Sequence, residues 1–252
     1  MRNCLILGSG RSGTSLTAGI MLQAGYYMGD DLYPPDAGNP KGYFENYFIN
    51  KINEDLLAQV VPSFSIQRII SVNKRIPKMQ NWLLSLPRHI IVPRSPIIEE
   101  RIKSLTVRQP FCFKDPRLSY TLNVWRETIG NVVFICVFRE PSETALSIVK
   151  ECQREPVLQS LKMDYERALN IWKSIYSYIL SNHFSAGDTW LFLHINQFAD
   201  GIAQDKIMKI THSKIDADFY DRNLRRSTNK EPYGKDCKEL YDRLCQLAEY
   251  NN

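Results

Sequence analysis

The chain has 252 residues, 44% hydrophobic and 23% charged, the balance of a globular domain rather than of a disordered or fibrous chain. Its net charge of +5 is uneven: Arg68 to Arg108 carries nine Lys or Arg against Glu99 and Glu100, a local excess of +7 that suggests an anionic ligand, a glycan or a membrane surface, or else a solvated basic face. The six cysteines show no C-x-x-C spacing and no run approaches 18 apolar residues, which argues against a cysteine metal site, a disulfide framework and a transmembrane helix.

In chain order, Cys4 to Leu7 reads as a short buried strand, too brief for the apolar core of a signal peptide. The turn Gly8-Ser-Gly-Arg-Ser-Gly13 leads into a helix from Thr14 to Ala24. Asp30 to Tyr43 is a loop by its Asp, Pro and Gly content. Tyr47 to Val60 is helical, with Phe48, Ile52, Leu56 and Val60 on one face. From Pro62 to Arg108 five prolines permit only short helices, yet Trp82, Leu83, Leu84, Ile90 and Ile91 indicate packing, so 61–109 is expected to be an insertion on the core. Strands follow at Phe111 to Phe113, Val132 to Phe138 and Thr189 to His194. Helices are expected from Ser119 to Thr128, from a Ser142 cap to Cys152, from Met163 to Ser181 and from Gly234 to Tyr250. Strands alternating with helices imply one α/β domain over 1–252: a P-loop-like, three-layer fold with a central, mainly parallel sheet flanked by helices.

Two anion motifs stand out. Gly8 to Ser15 joins a strand to a helix, which aims backbone N–H groups and the positive end of the helix dipole at an anion. Gly8, Gly10 and Gly13 match a dinucleotide fingerprint, with Asp30 or Asp31 near the required acid, but 24–29 is a poor second strand. Gly8, Gly13 and Ser15 also match a nucleotide-triphosphate loop, except that Thr14 replaces its Lys and Arg11 is the loop's one basic residue. The second motif follows the strand ending at Phe138. Arg139, with Pro141 and with Ser147 eight positions on, provides a guanidinium fork and a hydroxyl that can clamp a phosphate.

Arg11-Ser12-Gly13-Thr14-Ser15 resembles the 5′-phosphosulfate loop of the sulfotransferases that use 3′-phosphoadenosine 5′-phosphosulfate (PAPS), and Arg139…Ser147 resembles their 3′-phosphate motif. Gly42-Tyr-Phe-Glu45 with Asn53 to Leu57, and Lys114-Asp-Pro-Arg117, are similar to segments of bacterial members. Asp221 to Thr228, with Arg225 and Arg226, matches the late basic segment that closes over the nucleotide. The resemblance spans roughly 3–60, 110–150 and 188–228. It implies PAPS as co-substrate, PAP as product, no metal, and nucleotide contacts from Gly10 to Ser15, Arg139, Ser147, Arg225 and Arg226. The chain departs from the pattern at Leu16, where an aromatic often stacks on adenine, and at Lys114-Asp115-Pro116, where a histidine base is absent.

Sulfonate transfer is an in-line displacement that needs a base at the acceptor and a cation at the leaving phosphate. Arg11 is the expected cation, assisted by Lys114. Glu45 is the expected base and Asp115 the alternative. His89, His183 and His212 look ordinary, while His194 ends a strand near the site. The acceptor is expected to be a small molecule, carbohydrate or lipid, anionic if 61–109 folds over the site with its basic residues. A cytoplasmic location and no nucleic-acid partner are expected. A non-catalytic nucleotide binder, a small-molecule kinase and an NAD-dependent enzyme remain alternatives.

Overall fold

A computed structural model of the chain describes residues 1–36, 38–61, 76–185, 187–215 and 231–251. Arg225 and Arg226 lie outside the described residues, as do Arg68, Lys74 and Arg75 of the basic stretch. Four strands, β1 (Cys4–Leu7), β2 (Cys112–Lys114), β3 (Val133–Phe138) and β4 (Thr189–His194), form one sheet in the order β2-β1-β3-β4. Every pairing is parallel, with Ile6 beside Lys114, Leu7 beside Cys136 and Phe138 beside His194.

The strands β1 to β3 are buried throughout, which explains their unbroken apolar runs. Alternate residues serve opposite faces. Cys4, Ile6, Val133, Ile135 and Val137 belong to one core, with Met21 of α1 (Thr14–Gln23) and, from a later helix, Ile207. Leu5, Leu7, Phe134, Cys136 and Phe138 belong to the other. That second core also takes Ile52 of α2 (Tyr47–Ala58), Ile102 of α3 (Pro96–Leu105), Trp125 of α4 (Leu118–Ile129) and Ile148 of α5 (Pro141–Arg154). After the single turn α6 (Pro156–Gln159), it takes Trp172 of α7 (Tyr165–Tyr178) as well. Ile207 lies on α8 (Ile202–Thr211), and Leu244 of α9 (Lys235–Leu247) completes the larger core. The result is an α/β/α layering. No helix among the described residues is long and apolar enough to cross a membrane.

Several expectations shift by a residue or more. Phe48 is exposed; the buried face of α2 is Ile49, Ile52, Asn53, Leu56 and Leu57. Glu140, not Ser142, caps α5: its carboxylate accepts the Glu143 N–H at 2.8 Å and the Ser142 hydroxyl at 2.8 Å. The helix α7 ends at Tyr178 and continues as a wider turn over Ile179–His183. The helix α8 was not anticipated. Among the described residues between α1 and α2 the backbone pairs with the sheet through a Tyr27–Phe111 bridge and forms no second strand of the kind a dinucleotide fingerprint requires.

Candidate active site

The C-terminal ends of parallel strands are where open α/β sheets bind ligands. Here those ends deliver Gly8 to Gly13 after β1, Lys114 at the end of β2, Arg139 after β3, and Ile195 and Asn196 after β4. All of them except Gly8, Ser9 and Ser12 line one cleft of about 490 Å³, with Thr14, Ser15, Glu45 and Ser147.

The loop is held from behind. Gly8 N–H donates to the Ser119 hydroxyl at 3.0 Å and Ser9 N–H to the Tyr176 hydroxyl at 3.1 Å, while Tyr176 donates to the Val137 carbonyl at 2.8 Å. Ser12 N–H turns back to the Ser9 carbonyl. Gly13, at φ 96°, begins α1, and a Cβ there would come within 2.1 Å of Ile195. Beyond it, the first turn of α1 presents N–H groups that helix geometry leaves without intrahelical acceptors. Arg11 holds a left-handed φ of 69°, an uncommon conformation for a residue with a Cβ.

The two anion motifs, distant in sequence, meet. Arg11 Nε donates to the Ser147 hydroxyl at 3.3 Å, Nη2 reaches the Gly38 carbonyl at 3.4 Å, and Nη1 lies 3.5 Å from Glu151. Glu151 sits one helical turn beyond Ser147 on α5, a spacing that could have revealed it from the sequence. Arg139 pairs with Glu143 at 2.7 Å. Ser12 is fully buried, its hydroxyl 3.5 Å from Thr144.

The same cleft is also lined by members of a buried charge cluster. Glu45 pairs with Lys114, accepts from Asn50 Nδ2 at 2.8 Å, and lies 3.9 Å from Arg117. Burial pushes the Glu45 carboxyl up, but Lys114 and Arg117 outweigh it and hold the pKa below the usual value. Asp115 is fully buried and does not line the cleft. It accepts from Asn53 at 2.8 Å and from the Arg117 backbone and guanidinium at 2.9 Å. Burial, with Glu45 nearby, raises its pKa despite Arg117. Arg117 further binds Glu54 at 2.5 Å and the Met79 carbonyl.

Trp82, which the motifs did not flag, packs against the phosphate loop. Its signal was an aromatic inside a proline-rich stretch. The described basic residues that surround it in sequence do not line the cleft. Arg94 pairs with Glu99 and Glu127, Arg101 with Asp55, Lys103 with Glu100 and Arg108 with Asp30. In its described part the basic stretch is therefore a surface face. His194 is 1% exposed, stacked on Tyr250 at 3.9 Å with Tyr241 on its Nε2, a packing role. Burial drives the His183 pKa down to about 3.

No protein-family model matches the chain, and no curated protein matches it by sequence. Among solved structures it is similar to the sulfotransferase domain of the olefin synthase from Synechococcus PCC 7002, with a TM-score of 0.53 over 100% of this chain and 97% of that one. The two share 16% identity, so the likeness is one of fold: a parallel sheet flanked by helices, as in that sulfotransferase domain.

Proposed function

We propose that the protein transfers a sulfonate group from PAPS to a hydroxyl acceptor. The observation that carries this reading is the Arg11–Ser147 contact, which joins the loop expected to hold the 5′-phosphosulfate to the helix expected to hold the 3′-phosphate. A nucleotide with phosphates at both ends fits two anion sites on one cleft. The similarity in fold to a sulfotransferase domain supports it.

The first turn of α1 and the hydroxyls of Thr14 and Ser15 bind the 5′-phosphate. Arg139 and Ser147 bind the 3′-phosphate. Arg11 leaves Glu151 and Ser147 to neutralise charge on the bridging oxygen as it becomes a leaving group. Glu45 accepts the acceptor's proton as its oxygen forms the new bond to sulfur. Lys114 keeps Glu45 ionised and oriented in the resting site. An incoming sulfonate competes for that ammonium, and any pairing drawn from Glu45 raises the carboxylate's basicity. Asp115 acts through Arg117 as a positioning residue.

Calorimetric titration with PAP tests the reading. Arg139→Ala should weaken binding by about 1.5–3 kcal/mol, roughly ten- to a hundredfold, without loss of fold. Unchanged affinity in that variant, or ATP and NAD binding as tightly as PAP, would overturn it.

A further inference from the structure

We propose that Trp82 is the stacking wall of the acceptor subsite, and that the acceptor is an alcohol or phenol on a flat apolar group rather than an anion or a polyhydroxylated sugar. The inference rests on the sulfonate-transfer reading for the word acceptor, but the apolar subsite stands on its own contacts.

The ring is seated by the loop. A Cβ on Gly10 would lie 2.6 and 2.8 Å from Trp82 Cε3 and Cζ3, so the indole occupies the space that a side chain at position 10 would fill. It is also pre-positioned. Trp82 Nε1 donates to Gln80 Oε1 at 2.6 Å. Asn81, between them, donates its N–H and Nδ2 to Glu54 at 3.0 and 2.7 Å. Arg117 holds the Met79 carbonyl. The half-buried indole therefore meets the cleft with little rotamer freedom left to lose, which favours aromatic contacts.

Its surroundings connect it to Glu45. Arg117, which fixes Met79, lies 3.9 Å from Glu45, and Tyr33 N–H donates to the Glu45 carbonyl at 2.9 Å. Trp82, Met79, Tyr33 and Pro116 line the same cleft as Glu45 and Lys114. The charged groups around Glu45 are engaged with one another or with neighbours, while Asn50 Oδ1 is buried without a hydrogen-bond partner. Glu45 is held by Lys114 and Asn50, Arg117 by Asp115 and Glu54, and Gln80 by the Trp82 indole. A sugar finds one open acceptor there, Asn50 Oδ1, and would have to compete with these pairings to satisfy its other hydroxyls, whereas an apolar ring has only its reacting oxygen to place. Lys41, the other cleft-lining Lys, belongs to the 38–42 turn, whose Gly38 carbonyl accepts from Arg11.

The test is a calorimetric titration of the full chain with 4-isopropylbenzyl alcohol, methyl β-glucoside and glucuronate, each with and without saturating PAP, alongside acrylamide quenching of tryptophan emission. Trp125 and Trp172 are fully buried and Trp190 does not line the cleft, so bound aryl alcohol should protect the Trp82 share of emission. The aryl alcohol should bind, and the glucoside and glucuronate should not. Trp82→Ala should weaken the aryl alcohol tenfold or more and leave PAP affinity within twofold, and Trp82→Phe should recover most of the loss. Equal aryl-alcohol affinity in Trp82→Ala, or preference for the glucoside or glucuronate, overturns the inference. Failure of PAP to bind the wild-type chain overturns the sulfonate-donor reading instead, and the titrations without PAP still decide the role of Trp82.

Discussion

Glu45 carries opposing influences: burial favours its neutral form, and Lys114 with Arg117 favours the charged one and wins. If Glu45 is the base, its ionised form persists below the usual carboxylate range, and the acid limb of the kcat–pH profile lies low. Lys114→Met removes the first of the stabilising cations, so burial prevails and the acid limb should move up towards neutral pH. A pH–rate profile of that variant with an unmoved limb would assign the titration to another group. Glu45→Gln keeps the shape and the Asn50 neighbour but removes the basic lone pair. It should lower kcat roughly 10²–10⁴-fold while PAP affinity, read by calorimetry, stays unchanged. Should Asp115→Asn alone abolish turnover and Glu45→Gln retain it, the base is Asp115, despite its burial and its bonds to Arg117 and Asn53.

Elements place these residues, and their ends matter more than their middles. Asn46 caps α2 by accepting the N–H groups of Phe48 at 2.9 Å and Ile49 at 3.2 Å, directly after Glu45. Asn46→Ala should cost about 1 kcal/mol of stability in denaturant unfolding, and kcat should fall with it, because the helix start orients Glu45. Asn46→Asp, which keeps an acceptor, should restore most of both. If kcat falls as far in Asn46→Asp as in Asn46→Ala, the cap does not position Glu45. Capping also marks the limit of what the sequence reveals. The strands were legible because parallel strands buried on both faces are unbroken apolar runs, and the turn from β1 into α1 because closely spaced glycines mark a tight strand-to-helix connection. The phase of α2 was misjudged because Phe48 is apolar yet exposed while Asn53 is polar yet buried, bonding Asp115, Thr121 and Trp125. The cap of α5 was misassigned because Glu140 does the work that Ser142 is better known for. Trp82 went unread because its role depends on contact with Gly10, which only the folded chain brings near, and Glu151 because its place one turn beyond Ser147 was not followed along the helix.

At the scale of the molecule, Arg117 is the point where the layers and the site are joined. Its guanidinium, 2% exposed, binds Asp115 after β2, Glu54 of α2 and the Met79 carbonyl ahead of Trp82, with Glu45 3.9 Å away. Replacing it by Met preserves much of the volume but leaves buried carboxylates without their cation. Breaking such a cluster from one side should cost on the order of 3–5 kcal/mol near neutral pH. The pH dependence separates this cause from simple loss of packing. In the wild type the Glu45 pKa is lowered by folding, so its contribution is present above the unfolded carboxylate value and is lost as pH falls through the folded one. In Arg117→Met the Asp115 carboxyl, already raised in the wild type, should rise further, and Glu45 should lose part of its lowering. The folded state then takes up protons, and part of the lost stability returns as pH falls through the raised Asp115 value. Urea unfolding from neutral to mildly acidic pH should therefore show the gap between the two proteins narrowing. A gap constant across that window would mean that Arg117 contributes packing alone, and that Trp82 and Glu45 are held in register by something other than this charge.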